Sequence, residues 1–100
     1  MDRYKVIIYP AAKRDWEDII DYLNNLSAEV AFRYYDMMVE KIAGLAQMPE
    51  RFPCVRNNPL KAKGYRCMPV DNYLVFYVVK EITVQIRRII YGKRNYEWLL

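Results

Sequence analysis

Histidine is absent from this 100-residue chain. Its absence removes Ser-His-Asp and Cys-His catalysis, histidine metal sites and imidazole acid–base chemistry. Cysteine is scarce: Cys54 and Cys67 are the two present, and their spacing fits neither a zinc nor a redox motif. Both read as small core or loop residues in a reducing compartment rather than as disulfide partners. No metal and no cofactor is therefore expected. With 3 glycines, 5 prolines and 28% charged residues, neither a fibrous nor a disordered class fits. No apolar run approaches the roughly 20 residues needed to cross a bilayer, so no membrane partner is expected. Met1-Asp2-Arg3-Tyr4 leads straight into a strand-like pattern without a charged leader and apolar signal core. The expectation is a cytoplasmic protein of one domain, residues 1–100.

Apolar content is ample at 54%, enough for one modest core. The net charge of +4 is unevenly placed. Residues 1–59 carry a net −1, whereas residues 60–94 carry a net +6 from Lys61, Lys63, Arg66, Lys80, Arg87, Arg88, Lys93 and Arg94 against Asp71 and Glu81. A basic half beside a neutral one suits an anionic partner, either nucleic acid or an acidic protein segment. It equally suits a surface that merely keeps a small protein soluble.

Tyr4 to Tyr9 is rich in β-branched and aromatic residues and predicts a strand. Pro10 suits the first turn of a helix, where its missing N–H has no intrahelical partner. Ala12, Trp16, Ile19, Ile20 and Leu23 then fall on one helical face, with acids near the helix start to complement its dipole and Asn24-Asn25 as its end. Ser27 is placed to cap a second helix, whose seam is Ala31, Tyr35, Met38, Ile42 and Leu45. Residues 10–47 thus predict an αα-hairpin with one face to bury. Residues 48–60 hold Pro49, Pro53, Pro59 and Asn57-Asn58 and read as irregular loop.

Three strands follow. Tyr65–Val70 contains Pro69, which points to an edge or a bulge. Tyr73–Val79 is apolar throughout, as a strand covered on both faces would be. From Ile82 to Ile86, apolar residues alternate with polar ones. Asp71-Asn72 and Lys80-Glu81 are short polar joints, so the three strands form a meander. Arg87-Arg88 interrupts the alternation: a bulge there would turn both arginines toward solvent or a ligand, whereas a regular pleat would send them to opposite faces and leave one to pair with a helix carboxylate. The fold class is α+β in two layers, with the order β-α-α-β-β-β.

Ala12-x-x-Asp15-Trp16-x-x-Ile19-x-x-Tyr22, Leu45-x-x-Met48-Pro49, Gly64-Tyr65-Arg66, Tyr73-Leu74-Val75-Phe76-Tyr77 and Ile86 to Arg94 recur in this order and spacing in a known family. Over nearly its whole length the chain resembles the RelE/ParE superfamily, the toxins of bacterial type II toxin–antitoxin and plasmid stabilization systems. The resemblance implies a toxin that works in one of two ways. RelE-like members enter the ribosome and cut mRNA, arresting translation; ParE-like members inhibit DNA gyrase without chemistry of their own. A degenerate member has lost toxicity.

The leading expectation is the ribosome-dependent endoribonuclease. RelE-like cleavage uses Lys, Arg and Tyr rather than His, and arginine's planar fork suits a phosphate. By position, Arg66 matches the strand lysine of those toxins and Arg94 the arginine of their Gly-Lys-Arg segment. Arg66, Arg94 and Tyr96 are therefore the candidate catalytic residues, and Lys61, Lys63, Arg87, Arg88 and Lys93 the candidate RNA-binding ones. Leu74 departs from the pattern by standing where those toxins place an arginine. The resemblance also implies a cognate antitoxin whose acidic, partly disordered segment folds onto the toxin.

Overall fold

Local chemistry opens and closes the helical hairpin. The computed structural model describes residues 3–56 and 58–92. After strand β1 (Lys5–Ile8), Pro10 is the first residue of α1 (Pro10–Leu26). Ser27 then serves both helices: its N–H donates to Leu23 O at 2.9 Å, and its hydroxyl accepts from Val30 N at 3.3 Å to cap α2 (Ala28–Gly44). A single extended residue thus reverses the chain. α1 runs past Asn24-Asn25, and its first turn carries no acid. Asp15, expected to serve the helix dipole, has a different task, described below.

The stretch expected to be irregular contains two short ordered pieces. These are a 3-10 turn at Pro49–Arg51 and a helix α3 at Asn58–Ala62. Gly64 follows with a φ of +81°, a conformation glycine adopts without steric cost, and leads into β2 (Tyr65–Val70). Strands β3 (Tyr73–Lys80) and β4 (Thr83–Tyr91) complete a four-stranded sheet in the order β1-β4-β3-β2. The β2, β3 and β4 strands are antiparallel neighbours, whereas β1 runs parallel to β4. The second hairpin turn lies one residue later than expected, at Glu81-Ile82, because Lys80 still pairs with Thr83. Asp71 and Glu81 open the two turns with φ of 54° and 56°.

The sheet has two faces, and the alternation along each strand sorts side chains between them. On the helical side Met68, Val70, Val75, Tyr77, Val84, Ile86 and Ile89 meet Ala12, Met38, Ile42 and Leu45 in the main core. On the other side Val55 and Leu60 cover Tyr65, Phe76 and Ile90 in a smaller cluster. Of the expected α2 seam, Tyr35 is the exception, being 48% exposed. Pro69 lies on an edge strand as its missing N–H requires. The other side of that edge is partly closed by the loop, through Val55 N to Tyr65 O at 3.0 Å and a bridge between Cys54 and Arg66.

Candidate functional site

Three arginines of the basic half sit on the sheet, and each has a different set of partners. Arg66 lies opposite Tyr77. One of its terminal nitrogens donates to Phe52 O at 2.6 Å and to Glu50 O at 3.1 Å, while the other faces the Glu50 carboxylate at 3.7 Å. Tyr77 donates its hydroxyl to Pro49 O at 2.5 Å. Burial above all pushes the Tyr77 phenol up to about 12, with Arg66 and Arg51 opposing that effect. Arg66 and Tyr77 thus clamp the turn at residues 49–52 to the sheet.

A bulge does interrupt β4. Ile86 pairs with Tyr77 and Arg88 with Phe76, leaving Arg87 as the extra residue. It turns the two arginines toward internal partners. Arg87 stacks 4.5 Å from the centre of the Tyr9 ring and donates to Gln85 Oε1 at 2.8 Å. Among the described residues, its buried Nε has no hydrogen-bond partner. Arg88 forms a two-point ion pair with Asp15 of α1, at 2.7 and 2.9 Å. That hydrogen-bonded carboxylate is the main cause raising the Arg88 pKa above its ordinary value.

Lys61 at the end of α3 and Lys63 just beyond it are exposed. Leu74, which replaces the expected arginine, packs with the smaller apolar cluster. Lys93, Arg94 and Tyr96 lie outside the described residues. The structure therefore places Arg66 and Arg88 in separate environments, one held by the 49–52 turn and the other by α1. Arg87 stands on Tyr9. Both cysteines are free, and burial pushes the Cys67 thiol up to about 11. Among the described residues no cluster of acids and cysteines could hold a metal ion, and no helix is long and apolar enough to cross a membrane.

An apolar groove of about 420 Å³ runs between the hairpin and the β1 side of the sheet, lined by Ile8, Trp16, Tyr35, Met38, Val39 and Ile42 among others. Ile8, Tyr35 and Val39 are each about half exposed there. Sequence patterning assigned Tyr35 to the core and did not single out Val39. Their exposure follows from α2 burying only a narrow stripe, as its seam at steps of four and three would allow.

The profile of the ParE toxin of type II toxin–antitoxin systems (parDE) matches residues 6–96. No curated protein is similar enough to count as a relative. Among solved structures, the chromosomal ParDE toxin–antitoxin system from P. aeruginosa superimposes with a TM-score of 0.75 at 22% identity, covering 91% of this chain and 98% of that one. The RelBE2 toxin–antitoxin complex from Mycobacterium tuberculosis superimposes with a TM-score of 0.59 at 21% identity, covering 89% of this chain and 98% of that one. Both likenesses concern the fold.

Proposed function

Because the chain belongs to the ParE toxin family of type II toxin–antitoxin systems, within the RelE/ParE superfamily, we propose that it acts in the ParE manner. In this reading it is a protein-binding inhibitor of DNA gyrase, restrained by a cognate antitoxin, and it does not cut RNA. The observation that carries this reading is the engagement of Arg66 and Arg88. Gripping a phosphate requires guanidinium donors aimed at open space. Arg66 spends its Nη1 donors on the Glu50 and Phe52 carbonyls, and Arg88 directs Nε and Nη2 to Asp15. Recruiting either to RNA would strip the part-buried Phe52 carbonyl or the largely shielded Asp15 carboxylate of a partner, at a cost of about 1–3 kcal/mol. Leu74 adds apolar surface where the nuclease reading needs a cation.

The antitoxin is seated in the apolar groove of the hairpin. Its segment folds there by burying apolar side chains against Trp16, Tyr35 and Val39, while its acids face the basic half of the chain. Lys61 and Lys63 then supply long-range attraction rather than catalysis.

Induction of the protein alone tests the reading. DNA breaks and an SOS response with intact transcripts are expected, together with loss of gyrase supercoiling activity by the purified protein. Early translation arrest with cleaved mRNA would overturn it in favour of the ribosome-dependent nuclease. In that event Arg94→Ala, outside the described residues, would be the first variant to examine.

A further inference from the structure

Ten tyrosines are many for 100 residues, and several of them gather where α1 crosses the ends of β3 and β4. A hollow of about 440 Å³ opens there, walled by Asp18, Ile19 and Tyr22 of α1, Tyr73 of β3 and Tyr91 of β4. The tyrosine rings are held in place. Tyr73 stacks edge-on against Tyr34, with centroids 6.0 Å apart at 87°, and against Tyr91 at 5.9 Å and 68°. Tyr34 is anchored in turn by its hydroxyl, which donates to the Asp71 carboxylate. Tyr73 is buried, whereas Tyr22 is 61% and Tyr91 40% exposed. The hollow thus has one fixed ring at its base and two accessible rings at its mouth.

Among the described residues that wall it, the charged one is Asp18. Among the described residues no hydrogen bond or ion pair engages the exposed Asp18 carboxylate. The cation lining the adjoining hollow, Arg88, is matched by Asp15. Aromatic faces carry negative quadrupole density and attract a cation laid against them. An uncommitted carboxylate beside them favours a flat cation that can both stack and donate in a fork. A phosphate or carboxylate would be repelled, and an aliphatic group would leave Asp18 without use.

We propose that this hollow is a recognition pocket for an arginine side chain presented by a partner protein, with the guanidinium against the Tyr22 and Tyr91 rings and paired with Asp18. A protein, rather than a free small molecule, is indicated by the surface beside it. Leu26 lies one turn after Tyr22 on α1 and is 66% exposed, so apolar area continues past the mouth of the hollow for a polypeptide to cover. Buried tyrosine and arginine contacts of this kind are the usual anchors of protein interfaces. The assignment stands apart from the gyrase reading and holds whichever target the toxin acts on.

The test titrates the full chain with three probes: a blocked Gly-Arg-Gly peptide, the same peptide with citrulline, and free L-arginine. Calorimetry and tyrosine ring resonances are the readouts. The blocked arginine peptide should bind saturably, shift Tyr22, Tyr73 and Tyr91, and exceed the citrulline peptide by about tenfold. Asp18→Asn and Tyr22→Leu, both at exposed positions of α1, should each weaken it about fivefold or more without lowering the melting temperature. If Tyr22→Leu fails to fold, Asp18→Asn decides alone. Absence of saturable binding, equal binding of citrulline, or an unchanged affinity in Asp18→Asn would overturn the proposal. Tighter binding of free L-arginine than of the blocked peptide would overturn the assignment to a protein partner.

Discussion

Asp15 and Arg88, 73 residues apart in sequence, meet in a two-point ion pair at the place where β1 stops pairing with β4. The last ladder bond on that side is Tyr9 N to Ile86 O at 2.9 Å. Beyond it α1 has begun, and the Ile89 N–H would be left without an acceptor. The Asp15 carboxylate takes that bond too, at 2.9 Å. One helix side chain therefore extends a strand ladder and neutralises the cation exposed by the bulge. Asp15 is 15% and Arg88 24% exposed, so neither charge is freely hydrated.

Removing Asp15 should cost more than removing Arg88. Asp15→Ala takes the carboxylate from a part-buried guanidinium and the acceptor from the Ile89 N–H, so a loss of about 2–3 kcal/mol is expected. Arg88→Ala leaves Asp15 still accepting from Ile89 and should cost about half as much. Urea denaturation of both variants checks the order. Equal losses would mean that the Ile89 bond contributes nothing.

Arg66 offers a cleaner separation of structure from function. If its work is to clamp the 49–52 turn, Arg66→Ala should lower stability by about 1–2 kcal/mol, and Tyr77→Phe by about 1 kcal/mol through the lost bond to Pro49. Both should speed amide exchange at Val55, whose N–H pairs with Tyr65. An Arg66→Ala protein of unchanged stability and abolished toxicity would instead place Arg66 in contact with the target.

Alkali should destabilise the fold from about pH 9 upward. Burial raises the Cys67 thiol from an ordinary 9.0 to about 11 in the folded protein. Between those values the unfolded chain loses the proton that the folded chain keeps, so the folded state binds more protons and stability falls as pH rises. The contribution is complete below pH 9 and gone once pH passes about 11. Tyr77, raised to about 12, extends the decline. Melting temperatures across pH 8 to 12 should show the fall, and Cys67→Ala should flatten its first part.

Much of the fold was legible because periodicity is local. Pro10, Ser27, the apolar run of β3 and the Arg87-Arg88 interruption each announced their structure from neighbouring residues alone. What escaped was set by distant partners. A helix carboxylate was a foreseeable partner for one of Arg87 and Arg88, but nothing local singled out Asp15 from the other acids of α1, which read as dipole ligands. Arg66 looked like an open strand residue because its acceptors are mainly backbone carbonyls, which any residue type could supply. α3 was hidden by Asn57-Asn58 and Pro59, which signal turns as readily as helix starts. Tyr73 read only as a strand former, since nothing in a linear pattern shows that β3 and β4 end beneath Tyr22.

The apolar groove of the hairpin leads to the last expectation. Val39 is 48% exposed on its wall, so Val39→Glu keeps a hydrated carboxylate in the free toxin and should shift its stability by less than about 0.5 kcal/mol. Against a bound antitoxin the same carboxylate loses water without gaining a partner, a penalty of about 2 kcal/mol or more. An acidic antitoxin segment adds repulsion to that penalty. Toxicity should therefore persist while rescue by the antitoxin fails, with at least about a thirtyfold rise in the dissociation constant. Co-expression growth assays and titration calorimetry measure the two effects. Full rescue at unchanged affinity would move the antitoxin away from this groove.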